Sequence, residues 1–250
     1  MLFFFVTLAL CACLTAGLVY RYDLYEHEPV WLLAVAVGLG AGAMGLAGLV
    51  EARALGAMAR ASLLHVAIVA ALTEELLKLL VVVAVALLAR REFDDAMDGV
   101  VYGSMAGLGA ALEESVFYSG LSTAMAASLP AAELVRLWAH VVLGGIVGFP
   151  VGFWRSRPGR SAGAALVGLV VAVTLHFGWD ALVLSVPDGA PPSGAQTLGG
   201  LALMLGSLAL YGHLVATASG RSRQEFAPGS PRQLWGWPFA QLLRRFRPRG

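Results

Sequence analysis

Glu74, Glu75 and Lys78 lie inside an otherwise apolar run of Leu, Val and Ala that extends over residues 63–89. About twenty such residues cross the roughly 30 Å hydrocarbon core of a bilayer. A charge near the centre of that core costs roughly 2.5–3.5 kcal/mol on insertion scales. A chain that places three charges there has to turn them towards protein. The run is therefore expected to be a spanning helix whose charged face lines a buried functional site.

The rest of the chain agrees with a membrane setting. It is 58% hydrophobic and 13% charged, with mean hydropathy +0.76, more apolar surface than a soluble domain of 250 residues can hide. The expectation is an all-α, polytopic membrane helix bundle of about seven transmembrane helices, at residues 2–20, 30–50, 63–89, 96–119, 132–154, 162–186 and 198–218. Polar or Pro- and Gly-rich breaks separate them, such as Arg155-Ser156-Arg157-Pro158 and Pro187-Asp188-Gly189. Residues 1–219 form the bundle, with a catalytic core at about 60–186, and 220–250 form a basic tail. The first segment lacks the positive start of a signal peptide and is long enough to stay as a helix. Cys11 and Cys13 read as small core residues. Nothing suggests nucleic acid; the expected partners are membrane lipid and a membrane-tethered protein substrate.

Arginine fixes the expected orientation in a cell membrane. With the C-terminus in the cytoplasm, that side receives Arg21, Arg90, Arg91, Arg155, Arg157, Arg160 and seven tail arginines, thirteen in all, against Arg53, Arg60 and Arg136 outside. The N-terminus is then outside. The tail also carries Trp235, Trp237, Phe239 and Phe246. It reads either as a solvated segment or as one lying on anionic lipid.

Ionisable residues recur on the later helices at helical spacing. Glu74 and Lys78, Glu114 and Tyr118, Arg136 and His140, and His176 and Asp180 are each i,i+4 pairs. Gly99, Gly103 and Gly107 give the fourth helix a small-residue face for close contact, and Gly144 and Gly148 do the same for the fifth. At 1.5 Å per residue, Glu74 and His140 lie about 17 Å and 12 Å below the outer ends of their helices. Glu114 and His176 lie about 27 Å and 21 Å above the inner ends of theirs. All four belong to the outer half or the midplane and are able to meet around one cavity.

These motifs resemble the PrsW family of intramembrane proteases, distantly similar to the CAAX prenyl endoprotease group. They are E-E-x-x-K at Glu74, Glu75 and Lys78, D-G-x-V-Y-G at Asp98 to Gly103, and E-x-x-x-Y at Glu114 and Tyr118. R-x-x-x-H follows at Arg136 and His140, and H-x-x-x-D at His176 and Asp180. The resemblance covers about residues 60–186. The chain departs from it at Glu113, where an apolar residue is usual, at Ser115, where Asn is frequent, and at Asp180, where relatives carry Asn. It implies cleavage of a membrane-tethered protein near the outer membrane boundary, with an anti-sigma factor as a candidate substrate.

Peptide hydrolysis needs a base for water and donors for the oxyanion. The expected catalytic set is Glu74 as base and Glu75 as the partner of Lys78. His140 and His176 handle water and oxyanion, Asp180 orients His176, and Glu114 faces the site with Tyr118 and Arg136 in support. His140 and His176 with Glu114 or Glu75 also make a candidate ligand set for a divalent metal such as zinc, although no H-E-x-x-H helix is present. Blander readings stand beside these. A buried Glu–Lys pair serves helix contacts alone, and His140 is an ordinary interhelical donor. His65 and His213 read as structural, Asp23, Glu26, His27 and Glu28 as a solvated loop, and Asp94, Asp95 and Asp98 as a solvated helix start with an Asp N-cap. A proton-coupled transporter or channel and a non-catalytic scaffold are the competing functions. The transporter is disfavoured because no inverted repeat is evident and the charges gather in one half.

Overall fold

A computed structural model of the chain describes residues 2–121, 131–156, 163–186 and 190–229. Seven α-helices make up the described architecture: α1 (Leu2–Tyr20), α2 (Val30–Gly56), α3 (Leu63–Leu88), α4 (Ala96–Leu121), α5 (Ala131–Arg155), α6 (Gly163–Leu184) and α7 (Gly194–Phe226). The chain is a polytopic helical membrane protein, as its composition requires. Helices α1, α2, α5, α6 and α7 are long and apolar enough to cross a bilayer. Helices α3 and α4 match them in length but carry Glu74, Glu75 and Lys78, and Asp98, Glu113 and Glu114, among their apolar residues.

Two helices run further than their hydropathy indicates. Helix α2 continues past the apolar segment through Glu51 to Gly56. Helix α7 begins at a Ser193 capping box and extends to Phe226, beyond the expected end at residue 218. Polar residues such as Arg53 and Arg223 are compatible with helical backbone, so hydropathy marks the lipid-crossing part and not the helix end. The breaks at Arg157-Pro158 and at Pro187 to Gly189 lie outside the described residues, as do Trp235, Trp237, Phe239, Phe246 and the tail arginines from residue 232 on.

Helix α4 is the centre of the bundle. Residues 96–111 are all buried, and α4 makes its largest interfaces with α5 and α2. Glycine permits both contacts. A Cβ on Gly99, Gly103 or Gly107 would overlap the backbone carbonyls of Gly148, Gly144 or His140 on α5, and one on Gly109 would overlap that of Val37 on α2. Without side chains between them the helix axes approach closely, and dispersion replaces the hydrophobic drive that lipid does not supply.

The start of α4 corrects one expectation. The acidic loop before α2 and the acidic start of α4 are only partly solvated: Glu26, His27 and Asp94 are exposed as expected, but Asp23, Glu28, Asp95 and Asp98 are each under 5% exposed. Asp95 is the N-cap, its Oδ1 accepting the backbone N–H of Met97 and Asp98, and Asp98 Oδ2 accepts those of Asp94 and Asp95 in return. Glu28 accepts the hydroxyl hydrogen of the fully buried Tyr102. Burial pushes the Glu28 carboxyl up to about 7, with the charges of Asp23 and Asp95 adding, against the hydrogen bonds from Asp98 and Tyr102. Burial also pushes Asp23 up to about 6. His65 is likewise tied down: it forms a capping box with Ser62 at the start of α3, while His213 is exposed.

Two outcomes follow from this packing. Gly103→Val should destabilise the protein in detergent by roughly 3 kcal/mol or more, because backbone leaves the new side chain no room. Gly206→Ala, which meets open space, should be neutral in the same thermal unfolding assay. Secondly, acids whose folded pKa is raised hold extra protons in the folded state. Their stabilisation is complete below the ordinary carboxylate range near pH 4 and is lost as pH rises through about 6 for Asp23 and about 7 for Glu28. The unfolding midpoint should fall across that window, and Glu28→Gln should flatten the fall. An unchanged slope in Glu28→Gln would refute the assignment.

Candidate active site

Five helices bring ionisable groups to one end of the bundle, where α2, α4 and α6 finish and α3 and α5 begin. At 1.5 Å per residue, Glu51, Glu114 and His176 lie about 8, 11 and 12 Å from the ends of α2, α4 and α6. His140 and Glu74 lie about 14 and 17 Å inside the starts of α5 and α3. Glu74, Glu75 and Lys78 lie deepest in this cluster.

The deepest part is built on an ion pair. Lys78 Nζ donates to Glu75 Oε1 at 2.5 Å and to His140 Nδ1 at 3.2 Å. The same Glu75 oxygen accepts the Nδ1–H of His176 at 2.7 Å. Glu75 and Lys78 are 0% and 1% exposed, so each neutralises the other where water does not reach. One turn of α3 thereby ties α5 and α6 together through their histidines. The two rings meet edge to face with centroids 5.7 Å apart.

Each histidine is held from behind by a carboxylate. His140 donates Nε2–H to Glu114 Oε2 at 2.9 Å, and His176 donates Nδ1–H to Glu75. These bonds fix the tautomers and turn the remaining nitrogens inward. His140 Nδ1 and His176 Nε2 each stand 3.8 Å from Glu74 Oε2, a buried oxygen with no hydrogen-bond partner. Glu74 Oε2 thus faces two histidine nitrogens from two other helices, of which His140 Nδ1 already accepts from Lys78 Nζ. Asp180 Oδ2 is more distant from His176 Nε2, at 3.5 Å; Glu75, not Asp180, makes the short bond that orients His176.

The mouth is formed by Glu114, Arg136 and Asp180, whose side chains are 21–23% exposed. Arg136 Nε lies 3.3 Å from Glu114 Oε1, and the guanidinium sits 4.6 Å above the Tyr118 ring, a cation–π contact. Glu113, adjacent in sequence to Glu114, points elsewhere, with Oε1 close to Gly45 of α2. One residue along a helix is a turn of 100°, so only one of the two glutamates reaches the histidines.

The chamber also holds acids that spacing alone did not single out. Glu133 is 2% exposed and binds Arg136 and Ser115; its i,i+3 spacing to Arg136 was the available signal. Glu51 has a buried, unpartnered Oε1 and interacts electrostatically with His176, Glu114 and Asp180. It falls past the apolar end of α2, so only continuation of the helix brings it in.

Among the described residues no three His, Cys, Asp or Glu groups enclose an ion as they stand. The inward donor set nonetheless suits one. Glu74 Oε2 and His176 Nε2 offer lone pairs, His140 Nδ1 offers its own once Lys78 Nζ releases it, and each histidine has the carboxylate behind it that ligating imidazoles need. The 3.8 Å separations are only a little wider than the roughly 3.4 Å between ligands of a tetrahedral ion with bonds of about 2.1 Å. Glu114 occupies the outer nitrogen of His140 and is placed behind that donor set, not within it.

A family model described as "PrsW family intramembrane metalloprotease" matches residues 28–211. That stretch contains every chamber residue named above. No curated protein and no solved structure matches the chain.

Because Lys78 and Glu75 are charged partners without water, removing one leaves the other uncompensated. Lys78→Met should cost about 3–5 kcal/mol of stability. Adding Glu75→Gln to it should recover part of the loss in thermal unfolding. A double variant less stable than Lys78→Met would show that the pair is not mutually neutralising.

Proposed function

The chain belongs to the PrsW family of intramembrane proteases, and from that premise we propose that it hydrolyses a peptide bond of a membrane-tethered protein with water activated by Glu74. The observation that carries this reading is the unpartnered Glu74 Oε2 facing His140 Nδ1 and His176 Nε2. A water placed among them donates a hydrogen to Glu74 Oε2 and leaves an oxygen lone pair for attack.

In the proposed reaction Glu74 takes a proton from that water as its oxygen bonds to the scissile carbonyl carbon. The carbonyl oxygen becomes an oxyanion. His176, carrying a second proton on Nε2, donates to it. Glu74 then returns its proton to the leaving nitrogen, the C–N bond breaks, and one carboxyl and one amine product result. Lys78 keeps Glu75 ionised throughout, so that Glu75 holds the Nδ1–H side of His176. Glu114 does the same for His140, whose Nδ1 accepts from Lys78 Nζ.

With a lone pair on His176 Nε2 and Lys78 Nζ withdrawn from His140 Nδ1, the same inward atoms of Glu74, His140 and His176 would hold a divalent ion such as zinc. That ion supplies Lewis-acid polarisation of the carbonyl. The family's description as metalloproteases supports this variant.

The arginine asymmetry puts the chamber mouth on the outer side, with the C-terminus cytoplasmic. A substrate is then cut near its outer membrane boundary, and an anti-sigma factor shed from the membrane is the candidate class that the family suggests. The buried histidines and the acids that bind them gather at one end of the bundle, apart from the acids at the start of α4, which favours a hydrolytic site over a proton path across the membrane.

Co-expression with single-span membrane proteins tests the reading. Wild type should accumulate a trimmed fragment. Glu74→Gln should remain inserted and folded and lower the cleavage rate by roughly 10²–10⁴-fold, the usual contribution of a general base. Glu114→Gln should also be impaired, and Glu113→Gln should cut normally. Undiminished cleavage by Glu74→Gln removes that residue from the mechanism. For the ion, elemental analysis of active protein purified without chelator should give about one metal per chain; full activity with far less metal supports glutamate and histidine alone.

A further inference from the structure

Glu133 is a fully buried acid in the first turn of α5, outside the hydrolytic set, and both of its oxygens are engaged. Oε1 accepts from Arg136 Nη1 at 2.5 Å and Oε2 from Ser115 Oγ at 2.6 Å. Ser115, 0% exposed, follows Glu114 directly on α4. We propose that Glu133 is a positioning residue: it fixes the Arg136 guanidinium, and through it the Glu114 carboxylate that orients His140. The functional part of this assignment rests on the hydrolytic reading of the chamber.

The geometry forms one continuous path. Arg136 uses Nη1 on Glu133 and Nε on Glu114 Oε1, and its planar face lies on Tyr118. Three separate anchors hold a guanidinium that is otherwise 22% exposed at the chamber mouth. Glu114 is then left with Oε2 directed to His140 Nε2. Removing the Glu133 charge frees the fork of Arg136 to engage both oxygens of Glu114 or to swing out into water. Either movement disturbs the carboxylate that fixes the His140 tautomer. The Ser115 bond adds a register pin, because it ties the first turn of α5 to α4 beside Glu114 itself.

A purely structural role is the alternative, since an acid in a first helical turn is favourable in its own right. Two measurements on the full-length protein in detergent micelles separate the roles. The first is the imidazole N–H proton spectrum of protein labelled with ¹⁵N-histidine. Glu133→Gln should shift or broaden the His140 Nε2–H signal and leave that of His176 in place. The second is cleavage of a single-span reporter that wild type trims and Glu74→Gln does not. There Glu133→Gln should lower kcat by roughly 10–100-fold, as loss of a supporting partner does, with KM within about twofold.

Glu133→Asp should restore part of the rate. Glu133→Gln combined with Arg136→Gln should be no slower than Arg136→Gln alone, because the two act along one path. If Glu133→Gln does not fold, Ser115→Ala, which removes only the register pin, should show the same His140 change in milder form. A wild-type His140 signal in the folded variant overturns the proposal, as does an unchanged kcat. If no reporter is cut even by wild type, the hydrolytic reading fails instead, and the histidine spectrum still decides whether Glu133 positions His140.

Discussion

The ion pair between Glu75 and Lys78 is the interaction on which the chamber depends. Bare charges are not tolerated in hydrocarbon, and here each is satisfied by the other and by a histidine from a different helix. That arrangement converts a cost of insertion into a constraint on assembly. Only when α5 and α6 dock on α3, bringing His140 and His176, are Lys78 and Glu75 fully engaged. The chamber is therefore coupled to the folding of the bundle and is not an addition to its surface.

Close helix approach supplies the second requirement. Gly107 lies directly against the backbone of His140, seven residues before Glu114 and on nearly the same face of α4. A larger residue there would push α5 away and stretch the 2.9 Å bond between Glu114 and His140. The glycine face of α4 thus serves packing and chemistry at once: the distance between two helix axes sets the distance between two functional groups. Acids with a buried oxygen that has no hydrogen-bond partner, Glu51 and Glu74, lie in the same cluster. An acidic cluster of this kind suits a water molecule, a cation or the N–H groups of an extended peptide.

At the opposite end of the bundle, buried acids do a different task. Asp95 and Asp98 satisfy the free N–H groups at the start of α4, and Glu28 receives the Tyr102 hydroxyl. A row of acids between two apolar segments reads as a solvated loop when only charge is considered. Four of its acids are buried because the start of α4 gives Asp95, Asp98 and Glu28 their donors and Glu26 N–H gives one to Asp23. Isolated acid count did not carry that information; the pairing of specific donors did.

The apolar lengths, arginine distribution and i,i+4 pairs were sufficient for an all-helical membrane bundle and for Glu74, Glu75, Lys78, Glu114, His140 and His176 as residues of one region. These are local properties: hydropathy follows composition, and shared helix faces follow the 3.6-residue turn. Tertiary structure alone decided which atoms meet. It turned Glu114 and not Glu113 to His140, gave His176 to Glu75 instead of Asp180, and added Glu51 and Glu133 from regions that sequence spacing left unremarked. Those outcomes depend on the rotation and separation of packed helices, where 100° or an ångström changes the partner, and no periodicity within a single helix encodes them.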